Sequence, residues 1–169
     1  MAQYAIYQYG NRILSIYKPI RFIYQLSDLR IEHIVEVILK YKQIDLSHYT
    51  YNKIERTSIE GFNLHWHVDD TVIVKIKKDS MIESSDTILN EKYKLSNRTR
   101  NATRPVFSIV VYLSEHGIDF TGGEFHFIDE IILPKKQMMI FFDSHEVHRV
   151  QKVTSGTRNA ILYKFYKDF

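Results

Sequence analysis

Between Val106 and Tyr166 short apolar runs and turn signals alternate so closely that no long helix can be drawn through the segment. Val106–Leu113 is nearly continuous apolar sequence, the pattern of a buried strand. Gly122-Gly123 reads as a turn before a strand at Glu124–Ile128, and Pro134-Lys135-Lys136 as a turn before Gln137–Phe142. Val147–Val153 and Arg158–Tyr166 read as two further strands joined through Thr154-Ser155-Gly156. Many short strands separated by such turns build a sandwich or a barrel.

The first part of the chain has a different texture. Ser27 to Lys42 reads as a helix. Ser27 is a candidate cap, Asp28 and Glu32 stand in the first turns, and Ile31, Ile34, Val35, Ile38 and Leu39 recur at helical spacing. Ile13–Tyr17 and Ile20–Tyr24 read as short strands around Pro19, and Asn63–Val68 and Thr71–Lys77 as two more. The expected class is mostly β with flanking α, the helix packed on one side. A chain of 169 residues has room for one domain. Residues 1–60 are expected to support a β core over 61–169.

Composition matters through one absence. The chain has no cysteine, which excludes a disulfide scaffold, a cysteine nucleophile and thiolate-held metal. Any metal must be held by Asp, Glu and some of the eight histidines. The net charge of +3 permits an acidic substrate or nucleic acid without demanding either. Neither a secretory signal nor a membrane-spanning apolar run is recognisable, so the chain reads as soluble, cytoplasmic and independent of membranes.

The stretch from Lys78 to Arg104 has little periodicity. Its second half carries Lys92, Lys94, Arg98, Arg100 and Arg104 with no acid between them. It is either a solvated excursion or a loop on the substrate side that favours a partner with an acidic surface.

Two stretches carry chemistry. In Leu64-His65-Trp66-His67-Val68-Asp69, strand alternation places His65, His67 and Asp69 on one face, so His67 and Asp69 can offer a nitrogen and an oxygen to one ion. The second stretch, Asp143-Ser144-His145-Glu146-Val147-His148, supplies a third ligand as His145 or His148. Two imidazoles and one carboxylate bind one face of an octahedral ion and leave positions open, the set used by non-haem iron(II) oxygenases. Zinc hydrolases use similar sets, typically with a histidine pair on a helix. Arg158, expected on a hairpin opposite about Lys152, suits a carboxylate held by two parallel hydrogen bonds.

Together these pieces resemble the 2-oxoglutarate- and iron(II)-dependent dioxygenases, specifically the prolyl 4-hydroxylase-like branch, over roughly Phe62 to Tyr166. The elements that carry the resemblance occur in family order: His67-Val68-Asp69, the strand ending Tyr112-Leu113, Gly122-Gly123-Glu124-Phe125-His126-Phe127, Pro134 through Phe142, and His148, Val150, Val153, Gly156 and Arg158. The resemblance implies a double-stranded β-helix, or jelly roll, with the N-terminal helix packed on one sheet. It implies that His67, Asp69 and His148, rather than His145, bind Fe(2+), because Val150, Val153 and Gly156 fall in register only with His148. It further implies that Arg158, with Tyr112 beside it, binds 2-oxoglutarate, that O2 is consumed, and that L-ascorbate keeps the iron reduced. The reaction it implies is hydroxylation, with a prolyl or other residue in a protein as the substrate class. Glu124 and His126 are expected at the surface or behind the ligands, and the two glycines in the turn only.

The chain departs from the family pattern twice within these elements. Gln137 stands where the family has a glycine, and Lys164 where it often has a tryptophan. Lys164 shares the face of Arg158, so Lys164, with Arg98 and Arg100, is a candidate for the substrate side. Rival readings are a nucleic-acid demethylase on the same fold, a jelly-roll binding protein with a decayed site, and a zinc-dependent cupin. The ten residues from His148 to Arg158 fit the hydroxylase branch better than the demethylase, the intact triad argues against decay, and a zinc enzyme would not need Arg158.

Overall fold

A computed structural model describes residues 5–9, 12–17, 20–67, 69, 105–144 and 146–167. Its elements run β1 Ala5–Tyr9, β2 Arg12–Tyr17, β3 Arg21–Gln25, α1 Ile31–Lys42, β4 Tyr49–Ser58, β5 Leu64–His67, β6 Pro105–Tyr112, β7 Phe120–Gly122, β8 Phe125–Phe127, β9 Ile131–Ile132, β10 Met138–Asp143, β11 His148–Val150, β12 Val153–Gly156 and β13 Arg158–Lys167. The strand expected at Thr71–Lys77, the Lys78–Arg104 segment with Arg98 and Arg100, and His145 lie outside the described residues.

Five strands form one sheet in the order β3-β10-β6-β13-β4, and four form a second in the order β5-β11-β8-β9. The pairs β1-β2 and β12-β7 stand apart from these. Two antiparallel sheets face each other, as in a jelly roll, with one helix against the larger sheet. No helix among the described residues is long and apolar enough to cross a membrane.

The inner strands of the larger sheet, β10, β6 and β13, are covered on both faces, and strand alternation divides their side chains. Odd-numbered residues of β6, β10 and β13, among them Ile109, Val111, Met139, Phe141 and Phe165, pack with Ile34, Val37 and Ile38 of α1. Even-numbered ones, Val110, Tyr112, Ile140, Phe142 and Ala160, pack against Phe125, Phe127 and Val150 of the smaller sheet. The apolar run Val106–Leu113 is therefore apolar because both faces are dry.

Four sequence expectations change. The helix begins at Ile31, not Ser27, and Arg30 holds the cap position without a side-chain cap. Asp28 instead accepts hydrogen bonds from the backbone N–H and the Nε–H of Arg30, a local turn that competes with the helix. The ten-residue β4 falls where no strand was expected. It is an edge strand, nearly all of it exposed, and so lacks an apolar alternation. The single strand expected at Val147–Val153 is two strands, β11 and β12, in different sheets. Finally, β13 does not pair back on β11 or β12, so the hairpin that set Arg158 opposite Lys152 does not form. Arg158 faces Ser58 on β4, and Ser155 and Gly156 face Thr121 and Phe120 on β7. A Cβ on Gly156 would lie 2.1 Å from the Asp119 carbonyl oxygen, so the crossing between sheets depends on glycine there.

Gln137 adopts φ 66°, the left-handed conformation a glycine takes easily. The turn holds its shape through backbone bonds from Gln137 N–H to the Tyr112 carbonyl (2.8 Å) and from Leu26 N–H to the Gln137 carbonyl (2.9 Å).

Candidate functional site

The site lies between the two sheets and is assembled from both. β5 and β11 pair at His67 with His148 and at Leu64 with Val150, so three residues of β5 span two of β11. This bulge changes the side-chain parity. Leu64 packs into the core, His65 and Trp66 both point outward, and His67 returns to the interior. His65 therefore does not share the face of His67, as simple alternation implied. Outside the sheet, Trp66 carries the Arg149 guanidinium 4.6 Å above its ring, and His126 meets Trp66 edge-on.

His67, Asp69 and His148 each offer one ligand atom, and the three atoms lie within 4.8 Å of one another. Asp69 Oδ1 is 3.5 Å from His67 Nε2 and 3.6 Å from His148 Nε2. His67 Nδ1 lies 2.6 Å from the His65 carbonyl oxygen and His148 Nδ1 2.8 Å from that of Glu146. A carbonyl only accepts, so each Nδ1 carries a proton and, in the neutral ring, each Nε2 presents a lone pair to the centre of the cluster. His148 is fixed further by Phe125, stacked on it at 5.3 Å, and by Phe142, edge-on at 4.7 Å.

Asp69 divides its labour between its oxygens. While Oδ1 faces the imidazoles, Oδ2 accepts from the Ser108 hydroxyl at 2.6 Å and from the Lys164 ammonium. Backbone bonds tie the same segment down, Asp69 N–H donating to the Ser144 carbonyl at 2.9 Å. Burial alone opposes ionisation of Asp69, but Lys164, His67 and His148 outweigh it and hold the carboxyl far below its usual range. His148 is pushed down to about 4, first by burial, against the pull of Asp69. His67 moves the other way: burial lowers its pKa, but Asp69 and the His65 carbonyl together raise it above the ordinary value.

Arg158 is buried at the other end of the same face of β13. Its Nε–H donates to the Gly123 carbonyl and an Nη2–H to the Tyr112 hydroxyl, both at 3.1 Å. Tyr112 is completely buried, and this raises its pKa against the opposing Arg158 charge. A Cβ on Gly123 would approach Arg158 Cδ and the Phe120 ring to 3.0 Å, so this glycine gives the arginine its passage as well as making the turn.

The structure thus brings His67, Asp69 and His148 into one cluster and sets Arg158 against Tyr112. Lys164 points inward, as its register with Arg158 implies, but its ammonium ends on Asp69. Ser108 was not singled out from sequence, and Gly123 was expected to serve the turn only. A buried serine carries no distinctive pattern, and the second glycine of a Gly-Gly pair is indistinguishable from a turn residue. The donor set fits a single divalent ion: two imidazoles whose Nδ1 protons are fixed by carbonyls, so that each deprotonated Nε2 can face the ion, and one ionised carboxylate, all on one side.

Comparison with known proteins agrees with this geometry. A family model described as the 2OG-Fe(II) oxygenase superfamily matches residues 51–166. A Xenopus tropicalis protein named 2-oxoglutarate and iron-dependent oxygenase domain-containing protein 3 is 42% identical over 65 residues, 35% of this chain and 20% of that protein. Its Mus musculus counterpart is 38% identical over 65 residues. The match therefore spans about a fifth of the length of these curated relatives. Among solved structures, a viral collagen prolyl hydroxylase of Paramecium Bursaria Chlorella virus-1, in complex with 2OG, superimposes with a TM-score of 0.52 at 15% identity, over 89% of this chain and 80% of that one. A Pseudomonas putida prolyl-4-hydroxylase gives 0.50 at 17% identity, over 82% and 63%. At such identities the likeness establishes the jelly-roll fold.

Proposed function

Because the chain belongs to the 2OG-Fe(II) oxygenase superfamily, a dioxygenase class of oxidoreductase using iron(II), 2-oxoglutarate and O2, we propose that it hydroxylates its substrate at the cluster just described. In this reading His67, Asp69 and His148 hold iron(II), and Arg158 with Tyr112 holds the distal carboxylate of 2-oxoglutarate. The observation that carries it is the convergence of three ligand atoms within 4.8 Å, with both imidazole tautomers fixed by backbone carbonyls.

The iron, when bound, supplies the oxidising chemistry. The chain's own residues prepare the place for it. Ser108 and Lys164 occupy Asp69 Oδ2 and so keep Oδ1 turned toward the imidazoles. Phe125 and Phe142 wall the His148 ring away from water. Arg158, tied to Gly123 and Tyr112, is a preorganised cation for a carboxylate. A protein side chain, prolyl or other, is the proposed substrate class, supported by the fold shared with two prolyl hydroxylases. Ascorbate is the proposed reductant, and residues 1–169 are proposed to act as one catalytic domain.

The test is anaerobic loading with iron(II), followed by succinate release in air with 2-oxoglutarate and a panel of peptides and nucleic acids. Changing His67 or His148 to Ala is expected to abolish both metal retention and succinate release. If His145→Ala abolishes metal binding while His148→Ala does not, the ligand assignment is wrong.

A further inference from the structure

The edge strand β4 delivers two polar residues to the same face as Arg158, and the reading above uses neither. Ser58 is directly opposite Arg158 in the β13–β4 register, and Arg56 is directly opposite Ala160. Both are even-numbered, so both side chains lie on the face of the sheet that carries Arg158, Ala160 and Lys164. They are also the residues that break the otherwise exposed pattern over the second half of β4: Arg56 is half-buried and Ser58 is 1% exposed.

Each is incompletely satisfied. The Ser58 hydroxyl is buried with no hydrogen-bond partner among the described residues. A buried hydroxyl without a partner costs roughly 1–3 kcal/mol unless something supplies one. Arg56 has no carboxylate partner among the described residues, and its guanidinium lies 5.8 Å from the centre of the Phe62 ring. Burial first, and then the nearby charge of Arg158, hold its pKa below the ordinary arginine value, Asp69 pulling the other way. Two guanidiniums on neighbouring strands of one half-buried face repel each other. Ala160 offers only a methyl group between them, so β13 adds little bulk at that level.

An orphan hydroxyl and a surplus cation beside a buried arginine are what a carboxylate would satisfy. Accepting the proposed function as premise, we infer that Ser58 and Arg56 complete the 2-oxoglutarate site, Ser58 donating its hydroxyl to the carboxylate held by Arg158 and Arg56 adding a second positive charge. The co-substrate's distal carboxylate would then be read from three strands, by Tyr112 on β6, Arg158 on β13 and the Ser58–Arg56 pair on β4. The orphan hydroxyl would gain its missing partner only when the co-substrate is present.

The experiment measures binding without turnover. The protein is loaded with Mn(II) under anaerobic conditions and titrated with 2-oxoglutarate, and separately with 2-oxopentanoate, which has a methyl group where 2-oxoglutarate has its distal carboxylate. Ser58→Ala is expected to weaken 2-oxoglutarate about tenfold, the worth of a hydrogen bond to a charged group. Arg56→Gln is expected to weaken it about three- to tenfold, more at low salt than at high, and Arg56→Lys to retain most of the affinity. None of the three should change 2-oxopentanoate or Mn(II) affinity, which also verifies that the variants fold. Unchanged 2-oxoglutarate binding in both Ser58→Ala and Arg56→Gln overturns the inference, and so does equal weakening of the two ligands. Arg158→Ala serves as the reference. If it binds 2-oxoglutarate as the parent does, or if the parent binds none, the functional reading itself falls and the inference with it.

Discussion

Along the middle of β6 and β13 the odd-numbered side chains meet α1 in an apolar layer, Ile109, Val111, Ile161 and Phe165 among them. The even-numbered side chains of the same two strands include Ser108, Tyr112 and Arg158, which with Asp69 are buried, and the partly buried Lys164. Only the pleat separates the two faces. The apolar face can be stabilised by area and packing alone. The polar face buries ions, whose desolvation is offset only when each charge finds a partner in good geometry. The fold therefore places its charges where an opposing sheet can supply partners, and leaves the helix side dry.

Exchanging side chains across that division is the sharpest way to break it. Phe141 is fully buried on the odd face and its ring centre is 5.1 Å from that of Phe107. Phe141→Ala is expected to cost about 3–5 kcal/mol, a large share of the roughly 5–15 kcal/mol typical of a domain. A urea titration should show a lower midpoint at an unchanged slope. Mn(II) affinity of the protein that remains folded should not move. If it falls in parallel with stability, the two faces are mechanically one and the comparison fails.

The next effect belongs to the polar face. Lys164→Met removes the cation from Asp69 Oδ2 and leaves Ser108 as the remaining side-chain donor there among the described residues. Unpairing a buried carboxylate should destabilise the metal-free protein by about 2–4 kcal/mol. A divalent ion at Oδ1 restores positive charge to the same carboxylate, so the Mn(II)-loaded variant should lose much less. Melting temperatures with and without Mn(II) measure the difference. Equal losses would mean that Lys164 acts as packing and not as a charge.

The same division explains what could be read from sequence. The strand at Val106–Leu113 was legible because every residue in it but Ser108 is aliphatic or aromatic, and the His67–Asp69–His148 cluster because the His-x-Asp pair, weak by itself, stands in order with His148 and Arg158. β4 was not legible. An edge strand with most side chains in water has no reason to alternate, and Arg56 and Ser58 look like surface residues until β13 is placed beside them. The outward turn of His65 escaped because a bulge is a property of the β5–β11 pair and not of either strand. The hairpin drawn from Thr154-Ser155-Gly156 was wrong because a short turn does not say which sheet the next strand joins. That is decided by β7, which claims Ser155 and Gly156.

A smaller effect, about tenfold per pH unit, separates the two histidines that face each other across the site. His148, pushed down to about 4, is already neutral at pH 6 and gives up no proton to a metal. His67, raised above its ordinary value with Asp69 and the His65 carbonyl prevailing over burial, keeps its proton into a higher pH range. A metal must displace that proton. Mn(II) affinity should therefore be constant above the raised His67 pKa and fall about tenfold per unit below it, one proton being released per metal bound. Titration in two buffers of different ionisation enthalpy counts the protons. A slope of two between pH 5 and 7 would show that His148 titrates there as well.

The smallest change tests whether the polar face can lose function without losing structure. Tyr112 is fully buried, its ring within the core between the sheets and its hydroxyl accepting from Arg158 at 3.1 Å. Tyr112→Phe keeps the ring, opens no cavity and removes one oxygen. The Arg158 Nη2–H loses that acceptor, which should cost about 1 kcal/mol of stability or less. The hydroxyl's own proton, in the proposed site, is aimed at the distal carboxylate of 2-oxoglutarate, so its loss should weaken that ligand about fivefold. It should leave 2-oxopentanoate, which lacks the carboxylate, unaffected. Phe141→Ala and Tyr112→Phe then form a mirrored pair, one expected to lose stability and keep ligand binding, the other to keep stability and lose ligand binding. If Tyr112→Phe unfolds the protein as readily as it weakens 2-oxoglutarate, the Tyr112–Arg158 contact is a structural bond, and the boundary between packing and chemistry does not follow the pleat.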